Sequence, residues 1–363
     1  MPKRVKFSEA SIDMLRVAQL FYREKWNKQR IAESLNIDVR KVGATLERAL
    51  QAGLVRIFIG ETLENSLPEQ QIKAKYPHMQ KVLILPLHGR IETEQQYIGL
   101  LQRFGMVAAS LLDDLIDRHG SKGPFRVGIS GGETLLEFVN AVPDRLRRDL
   151  HVHATSVVPH GQPVMYASGV DPSTNATILW AKSGRIAGQC HYTTITPYDT
   201  DKTGIEAREL IQTQAKMLSE NPKIKAVIEE MRYLNVVFTG LGTLTSPAPE
   251  YSFMNKRLTT MGLLHPLITL EDFAQDEAVG DISYCLVNVD GKSDDKWRFF
   301  PAVGDHSDYP GVSYYRHMVE MEKPVIAIAG PFRLAPIKAV LRGKLVNILI
   351  TDEDTAQQIV AGD

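Results

Sequence analysis

The sequence predicts an α/β protein with a small helical head and a larger domain built on a largely parallel sheet. Three observations carry this. Short apolar runs rich in Val and Ile alternate with helical patterns over residues 81–363. Residues 1–60 contain only helical periodicity until a final apolar run at 55–59. Charge divides at the same place: residues 1–60 hold 12 Lys+Arg and 6 Asp+Glu, a net of +6, whereas the remainder holds 30 and 37, a net of −7. A basic head on an acidic body suits a polyanion partner for the head alone.

In the head, Ile12, Leu15, Ala18, Leu20, Phe21 and Tyr22 recur at helical spacing until Trp26-Asn27 interrupts them. A second helix follows over 28–35, with Ile31, Ala32 and Leu35 inward. Asn36-Ile37-Asp38 is a tight turn whose Asp38 can cap the next helix. That third helix, 39–52, buries Val42, Leu46, Ala49 and Leu50, carries Arg40, Lys41, Gly43, Thr45 and Arg48 outward, and ends at Gly53. Residues 55–59 read as a strand, a wing in form. Two short helices across a three-residue turn have helix-turn-helix spacing. Arg40, Lys41, Thr45 and Arg48 are placed to reach phosphates or base edges of double-stranded DNA, with Gln29 and Arg30 on the backbone. The pattern also admits a small helical bundle with a solvated basic face.

Residues 60–78 are polar and fit a connector with a short helix over 68–76, so the domains are read as 1–60, a linker 61–80, and 81–363. Strands are expected at 81–86, 125–129, 153–159, 234–242, 324–330 and 346–352. Helices are expected at 95–118, 134–139, 205–218, 336–342 and 355–360. The centre of this domain is Phe125–Val139. Val127 and Ile129 break at Gly128, Ser130, Gly131 and Gly132, and a helix begins at Thr134. A strand, a small-residue turn and a helix start aim backbone N–H groups at one spot, which suits an anion such as phosphate. Thr239-Gly240-Leu241-Gly242-Thr243 and Ala329-Gly330-Pro331-Phe332-Arg333 close two further strands. Ligands of parallel sheets bind beyond the carboxyl ends of the strands. Any one such glycine loop also serves merely to end a strand.

Other chemistries are weaker. Gly128-Ile-Ser-Gly-Gly matches the G-x-S-x-G nucleophile elbow, making Ser130 a hydrolase candidate. No downstream His, neither His306 nor His317, follows an obvious late strand with an acidic partner. An isomerase or deaminase would draw on Asp281, Glu250 or Glu271 as acid or base. His151-Val-His153 offers two imidazoles without an evident third ligand, so a plain strand and no metal is the expectation. Cys190 and Cys285 lie far apart, which excludes a disulfide framework and a zinc ribbon. With no signal-like apolar segment and no run of about 18 apolar residues, the chain is expected to be cytoplasmic and without a membrane association. No cofactor is called for.

The segments at 15–22, 28–35, 39–46 and 52–57 together resemble the head of SorC-family bacterial transcriptional regulators. The resemblance extends over Val127-Gly-Ile-Ser-Gly-Gly-Glu-Thr-Leu, Thr239-Gly-Leu-Gly-Thr-Leu, Ala278-Val-Gly-Asp-Ile, Val325-Ile-Ala-Ile-Ala-Gly and the run from Leu341 to Glu353, in that order. It implies a winged-helix-like helix-turn-helix domain on an α/β effector domain similar in fold to ribose-5-phosphate isomerase and glucosamine-6-phosphate deaminase. It further implies that a phosphorylated sugar is bound and not transformed, and that the chain assembles as a homo-oligomer, dimer or tetramer. By position it assigns Ser130, Gly131, Gly132, Glu133 and Thr134 to a phosphate loop, and Gly240, Gly242 and Thr243 to a second loop, with Asp281 at a Gly-Asp turn. Where the family often has Lys near the third loop, this chain offers Arg333 and, further on, Lys338. The stretch 290–323, with Trp297, Phe299, Phe300, His306, Tyr309, Tyr314, Tyr315 and His317, is longer than usual in the family and suits a modified pocket, an added packing layer or a subunit interface.

Overall fold

The computed structural model describes residues 9–51, 62, 66–87, 91–119, 123–143, 152–157, 171–183, 188–192, 220–244, 277–293 and 311–362. The chain divides into two compact units, Met1–Gly60 and Glu61–Asp363. No helix among the described residues is long and apolar enough to cross a membrane.

In the first unit, α1 (Glu9–Ala18) runs into a π turn, Gln19–Arg23, followed by α2 (Lys28–Leu35) and α3 (Val39–Gln51). Asn27 caps α2: its side-chain oxygen accepts the Arg30 N–H at 2.8 Å. Asn36 ends α2 at φ +53°, a left-handed conformation that Asn tolerates better than most residues. Asp38 Oδ1 then accepts the Arg40 N–H at 2.7 Å and starts α3. Val17, Ala18, Leu20, Ile31, Ala32, Val42, Leu46 and Ala49 form the core. Leu15, counted with the apolar face, stands 45% exposed because it flanks the face set by Met14, Val17 and Ala18. The expected strand at 55–59 lies outside the described residues.

The second unit opens with α4 (Leu67–Lys75), capped by Ser66 with Pro68 in its first turn. Its Ile72 is fully buried in the main core, so this helix is part of the α/β unit rather than a free connector. Nine strands follow among the described residues: β1 (Lys81–Leu85), β2 (Phe125–Ile129), β3 (Val152–Ser156), β4 (Cys190–His191), β5 (Val236–Thr243), β6 (Ala278–Ile282), β7 (Cys285–Asn288), β8 (Val325–Ile328) and β9 (Ile348–Asp352). The order β1-β9-β8-β5-β2-β3-β4 is parallel throughout. β6 and β7 add an antiparallel hairpin to the far end of β5. Buried on both faces, the parallel strands read as unbroken apolar runs such as Val325–Ile328.

One face is covered by α5 (Glu94–His119), α6 (Glu133–Ala141) and α7 (Pro172–Ser183). The other is covered by α4, α8 (Pro222–Met231), α9 (Val312–Glu320), α10 (Leu334–Arg342) and α11 (Glu353–Ala361). The expected α/β fold on a largely parallel sheet is thus observed. Two local expectations are corrected. The strand expected at 234–242 holds Gly240 and Gly242, so the second loop that the resemblance assigned to them is part of β5, which continues to Thr243 to pair with β6. Asp281 sits in β6, opposite Gly242, and not in a turn. The expected helix at 205–218 lies outside the described residues.

Candidate functional site

The strand order reverses at one point. From β2 the chain moves through β3 to β4; from β5 it moves the other way through β8 to β9. β2 and β5 are neighbours, so their carboxyl ends flank the crevice where open α/β sheets take ligands. Ser130 leaves β2 there, its N–H bonded to the Phe238 carbonyl of β5 at 3.1 Å. The turn is pinned from the side by α7: the amide of fully buried Asn175 donates to the Ser130 carbonyl at 3.0 Å and the Gly132 carbonyl at 3.4 Å. Gly132, at φ +96°, is the residue before α6 and lacks any side chain to cap it. The positive end of α6 lies at this turn, with the Glu133 carboxylate in its first turn. Gly131 is buried, while Glu133 and Thr134 are half-buried in the first turn.

The β5 end meets this turn through Gly240, which faces Leu135 of α6. Beyond it, a side chain at position 242 would place its Cβ 1.8 Å from Asp281 Oδ2, so only glycine leaves room for the Asp281 carboxylate. Asp281 is 4% exposed, and its Oδ1 accepts the Tyr284 N–H at 2.8 Å. Burial pushes its carboxyl up to about 6, against the pull of the Tyr284 N–H and the Arg333 guanidinium. Arg333, half-buried at the start of α10, donates from Nε to the Leu241 carbonyl at 2.8 Å and from Nη1 to the Tyr97 hydroxyl at 2.8 Å. It thus joins α5, β5 and α10 around the Asp281 carboxylate.

The β6–β7 hairpin turns on Ser283 and Tyr284 at φ +47° and +68°, with no glycine at either position. Non-glycine residues in that conformation cost roughly 1–3 kcal/mol each and persist only when neighbours hold them. Here Thr239 and Ser283 hydroxyls meet at 2.8 Å, and Asp281 holds the Tyr284 N–H. The Tyr284 phenol is raised by burial and by the carboxylates of Asp281 and of Asp171, which precedes α7.

The structure brings Ser130–Thr134, Gly240, Gly242, Thr243, Asp281 and Arg333 to this one end of the sheet. Sequence reasoning missed Tyr97, Asn175, Ser283 and Tyr284. Asn175 had a signal: Asp171-Pro172-Ser173 is a helix start, with Asp171 accepting the Ser173 N–H at 2.7 Å. The others had none, because their roles come from partners distant in sequence. Lys338 is not in the crevice; its ammonium binds the Gly362 carbonyl. Of the aromatic stretch, Tyr315 is buried in the core and Tyr314 donates to the Met231 carbonyl at 2.8 Å. That part is a packing layer; Trp297, Phe299, Phe300, His306 and Tyr309 lie outside the described residues, as do Glu250 and Glu271. Ser130 is 2% exposed, and no described histidine hydrogen-bonds to it.

In the first unit, Arg40, Lys41, Ala44, Glu47 and Arg48 form one exposed stripe along α3. Thr45, expected in that stripe, is 6% exposed and accepts from Arg48 Nη2 at 3.2 Å. It lies between Ala44 and Leu46 on the inward side, and Ala44 takes the outward position. Gln29 is exposed and donates to Glu33 at 3.1 Å. Arg30 is exposed, its guanidinium 4.1 Å from the Trp26 ring centroid.

Residues 207–361 match the Sugar-bind family, described as a putative sugar-binding domain. The chain is 22% identical to the sorbitol operon regulator of Klebsiella pneumoniae, covering 96% of this chain and 97% of that protein. It is 21% identical to the deoxyribonucleoside regulator of Bacillus subtilis (strain 168), covering 95% and 96%. The crystal structure of the full-length sorbitol operon regulator SorC from Klebsiella pneumoniae shares the fold at a TM-score of 0.65 and 19% identity, covering 98% of this chain and 100% of that one. A transcriptional regulator from Streptococcus pneumoniae TIGR4 does so at 0.58 and 18%, covering 81% and 95%. These relatives are regulators and not enzymes, which sets aside the hydrolase and isomerase readings. Matched along nearly its whole length by two bacterial regulators, and over residues 207–361 by a sugar-binding domain, the chain is a transcriptional regulator similar to SorC-type proteins.

Proposed function

We propose that the crevice between β2 and β5 is an effector pocket for a phosphorylated sugar, and that α3 reads operator DNA. The observation that carries the pocket is the switch point itself. The strand–glycine turn–helix unit of β2 and α6 sits there, near buried Asp281 and half-buried Arg333. In this reading the N–H groups around Gly131–Thr134 receive the phosphate. Asp281 accepts a sugar hydroxyl, and Arg333 keeps donors for the same ligand beyond its bonds to Leu241 and Tyr97. Sorbitol and deoxyribonucleoside regulators among the relatives support a carbohydrate-derived effector.

On DNA, Arg40 and Lys41 at the start of α3 are placed for base edges or phosphates, and Ala44 leaves room for close approach to the groove floor. Arg48 reaches a phosphate further along, and Gln29 and Arg30 meet the backbone. Two heads on two half-sites imply a homo-oligomer, and a chain that works on DNA works in the cytoplasm. The effector acts by binding one arrangement of the paired heads better than another. Thermal melting against a panel of sugar phosphates and their free sugars tests the pocket. A sugar phosphate that raises the melting temperature without being consumed supports it, and its turnover would overturn the regulatory reading.

A further inference from the structure

A second cluster lies on the other side of the sheet's short edge. Register pairs Arg126 of β2 with His153 of β3, and Thr155 of β3 with His191 of β4. Side chains alternate along strands, so these four share one face. It is the face covered by α8, which contributes Glu230. The His153 and His191 rings are stacked with centroids 6.0 Å apart. One donor atom each from His153, His191 and Glu230 lies within 4.8 Å of the others. His191 Nε2 stands 3.8 Å and Arg126 Nε 3.5 Å from Glu230 Oε2, both beyond hydrogen-bonding reach. Thr155 Oγ1, His191 Nε2 and Glu230 Oε2 are buried atoms with no hydrogen-bond partner. Buried polar atoms are ordinarily hydrogen-bonded, and three that lack a hydrogen bond, two of them held only in long ion pairs beside an imidazole stack, point to a ligand.

We propose that His153, His191 and Glu230 bind a divalent transition-metal ion, zinc foremost, with water completing the coordination. Two imidazoles and one carboxylate are a zinc donor set, and the harder Mg²⁺ and Ca²⁺ prefer oxygen alone. Donors around a tetrahedral ion with bonds of about 2.0–2.1 Å stand roughly 3.4 Å apart. Small rotations of His191 and Glu230, whose side chains are 19% and 25% exposed, close the observed set to that spacing and leave an entry path. Arg126 occupies the Glu230 carboxylate in the metal-free form. Its guanidinium also lies 5.8 Å from the Tyr233 ring, which offers it a place when the ion takes over. Cys190 is not a ligand: it packs on the opposite face, toward Thr177 of α7. The ion would tie the two-residue edge strand β4 to α8. It is separate from the effector crevice, since Arg126 and Ser130 are at opposite ends of β2, about 13 Å apart at a rise of about 3.3 Å per residue.

The test uses the full-length protein, without a polyhistidine tag and stripped with chelator. Equilibrium dialysis with Zn²⁺ should give one ion per chain, and zinc should raise the melting temperature. His191→Gln and Glu230→Gln should each weaken binding by more than about 100-fold, beyond the usual loss of an outer-shell partner. Arg126→Met, which removes the competing cation, should bind more tightly than the parent. Absence of stoichiometric binding, or binding unchanged by both ligand variants, overturns the proposal. If a variant does not fold, Co²⁺ decides on the parent protein. An intense visible band of four-coordinate Co²⁺ supports the site, and its absence refutes it.

Discussion

Gly242→Ala is a sharp perturbation of the crevice because a single contact decides its effect. The backbone at 242 is outside the left-handed region, so alanine meets no conformational strain there. All of the cost falls on the Cβ, which would lie 1.8 Å from Asp281 Oδ2. Either the carboxylate leaves or β5 and β6 separate. If the carboxylate moves, the Tyr284 N–H loses its charged acceptor, a loss of about 1.5–3 kcal/mol. Forcing the added methyl into the packed hairpin costs a further 1–3 kcal/mol or so. The expected destabilisation is on the order of 2.5–6 kcal/mol, which lowers the melting temperature of a unit this size by roughly 4–10 °C. The control is the same substitution in an Asp281→Ala background, where the contact is gone and Gly242→Ala should be nearly neutral. Melting curves of the four proteins give the coupling directly. Equal effects of Gly242→Ala with and without Asp281 would refute the reasoning.

Asp281 also sets a pH dependence. Its folded pKa of about 6 lies above the ordinary 3.8, so the folded chain holds this proton more tightly than the unfolded one. The resulting stability is fully present below 3.8 and is lost as pH rises to about 6; the gap corresponds to about 3 kcal/mol. Urea unfolding across pH 4–7 should show this slope in the parent and not in Asp281→Asn. Replacing Gly132 by Ala places a side chain at φ +96°, which should cost about 1–3 kcal/mol and weaken effector binding together, read by melting with and without ligand. Arg40→Ala with Arg48→Ala should leave the second unit's melting unchanged and reduce the salt slope of DNA binding by about 1.8, as two lost phosphate contacts require. Unchanged DNA affinity would remove α3 from the interface.

The parallel sheet was legible because its strands are buried on both faces. Runs such as Lys81–Leu85 and Val325–Ile328 carry no polar alternation to confuse them. The β2 turn was legible because Ser130-Gly131-Gly132 combines a strand end with a helix start in one short stretch. The β6–β7 hairpin was not, since its turn residues Ser283 and Tyr284 are neither glycine nor asparagine and hold positive φ only through Thr239 and Asp281. For the same reason Asp281 was read as a turn residue: nothing local shows that Gly242 lies opposite it. Thr45 was misplaced because one step along a helix turns a side chain by about 100°, and two neighbouring small residues, Ala44 and Thr45, fit either side of the boundary. The His153–His191–Glu230 cluster joins β3, β4 and α8, so adjacent-residue spacing shows only His151 and His153.

The β2–β5 crevice is proposed to sense a sugar phosphate. Its most direct test is calorimetric titration of the full-length protein with the sugar phosphate selected by melting, set against its dephosphorylated sugar and repeated on Gly132→Ala and Arg333→Met. The account predicts saturable binding of the phosphorylated form to the parent, at least about tenfold weaker binding of the free sugar, and loss of affinity in both variants. At 100 times its dissociation constant the effector should add about 2.7 kcal/mol to stability. Binding that ignores both substitutions, or that is equally strong for the free sugar, would contradict it.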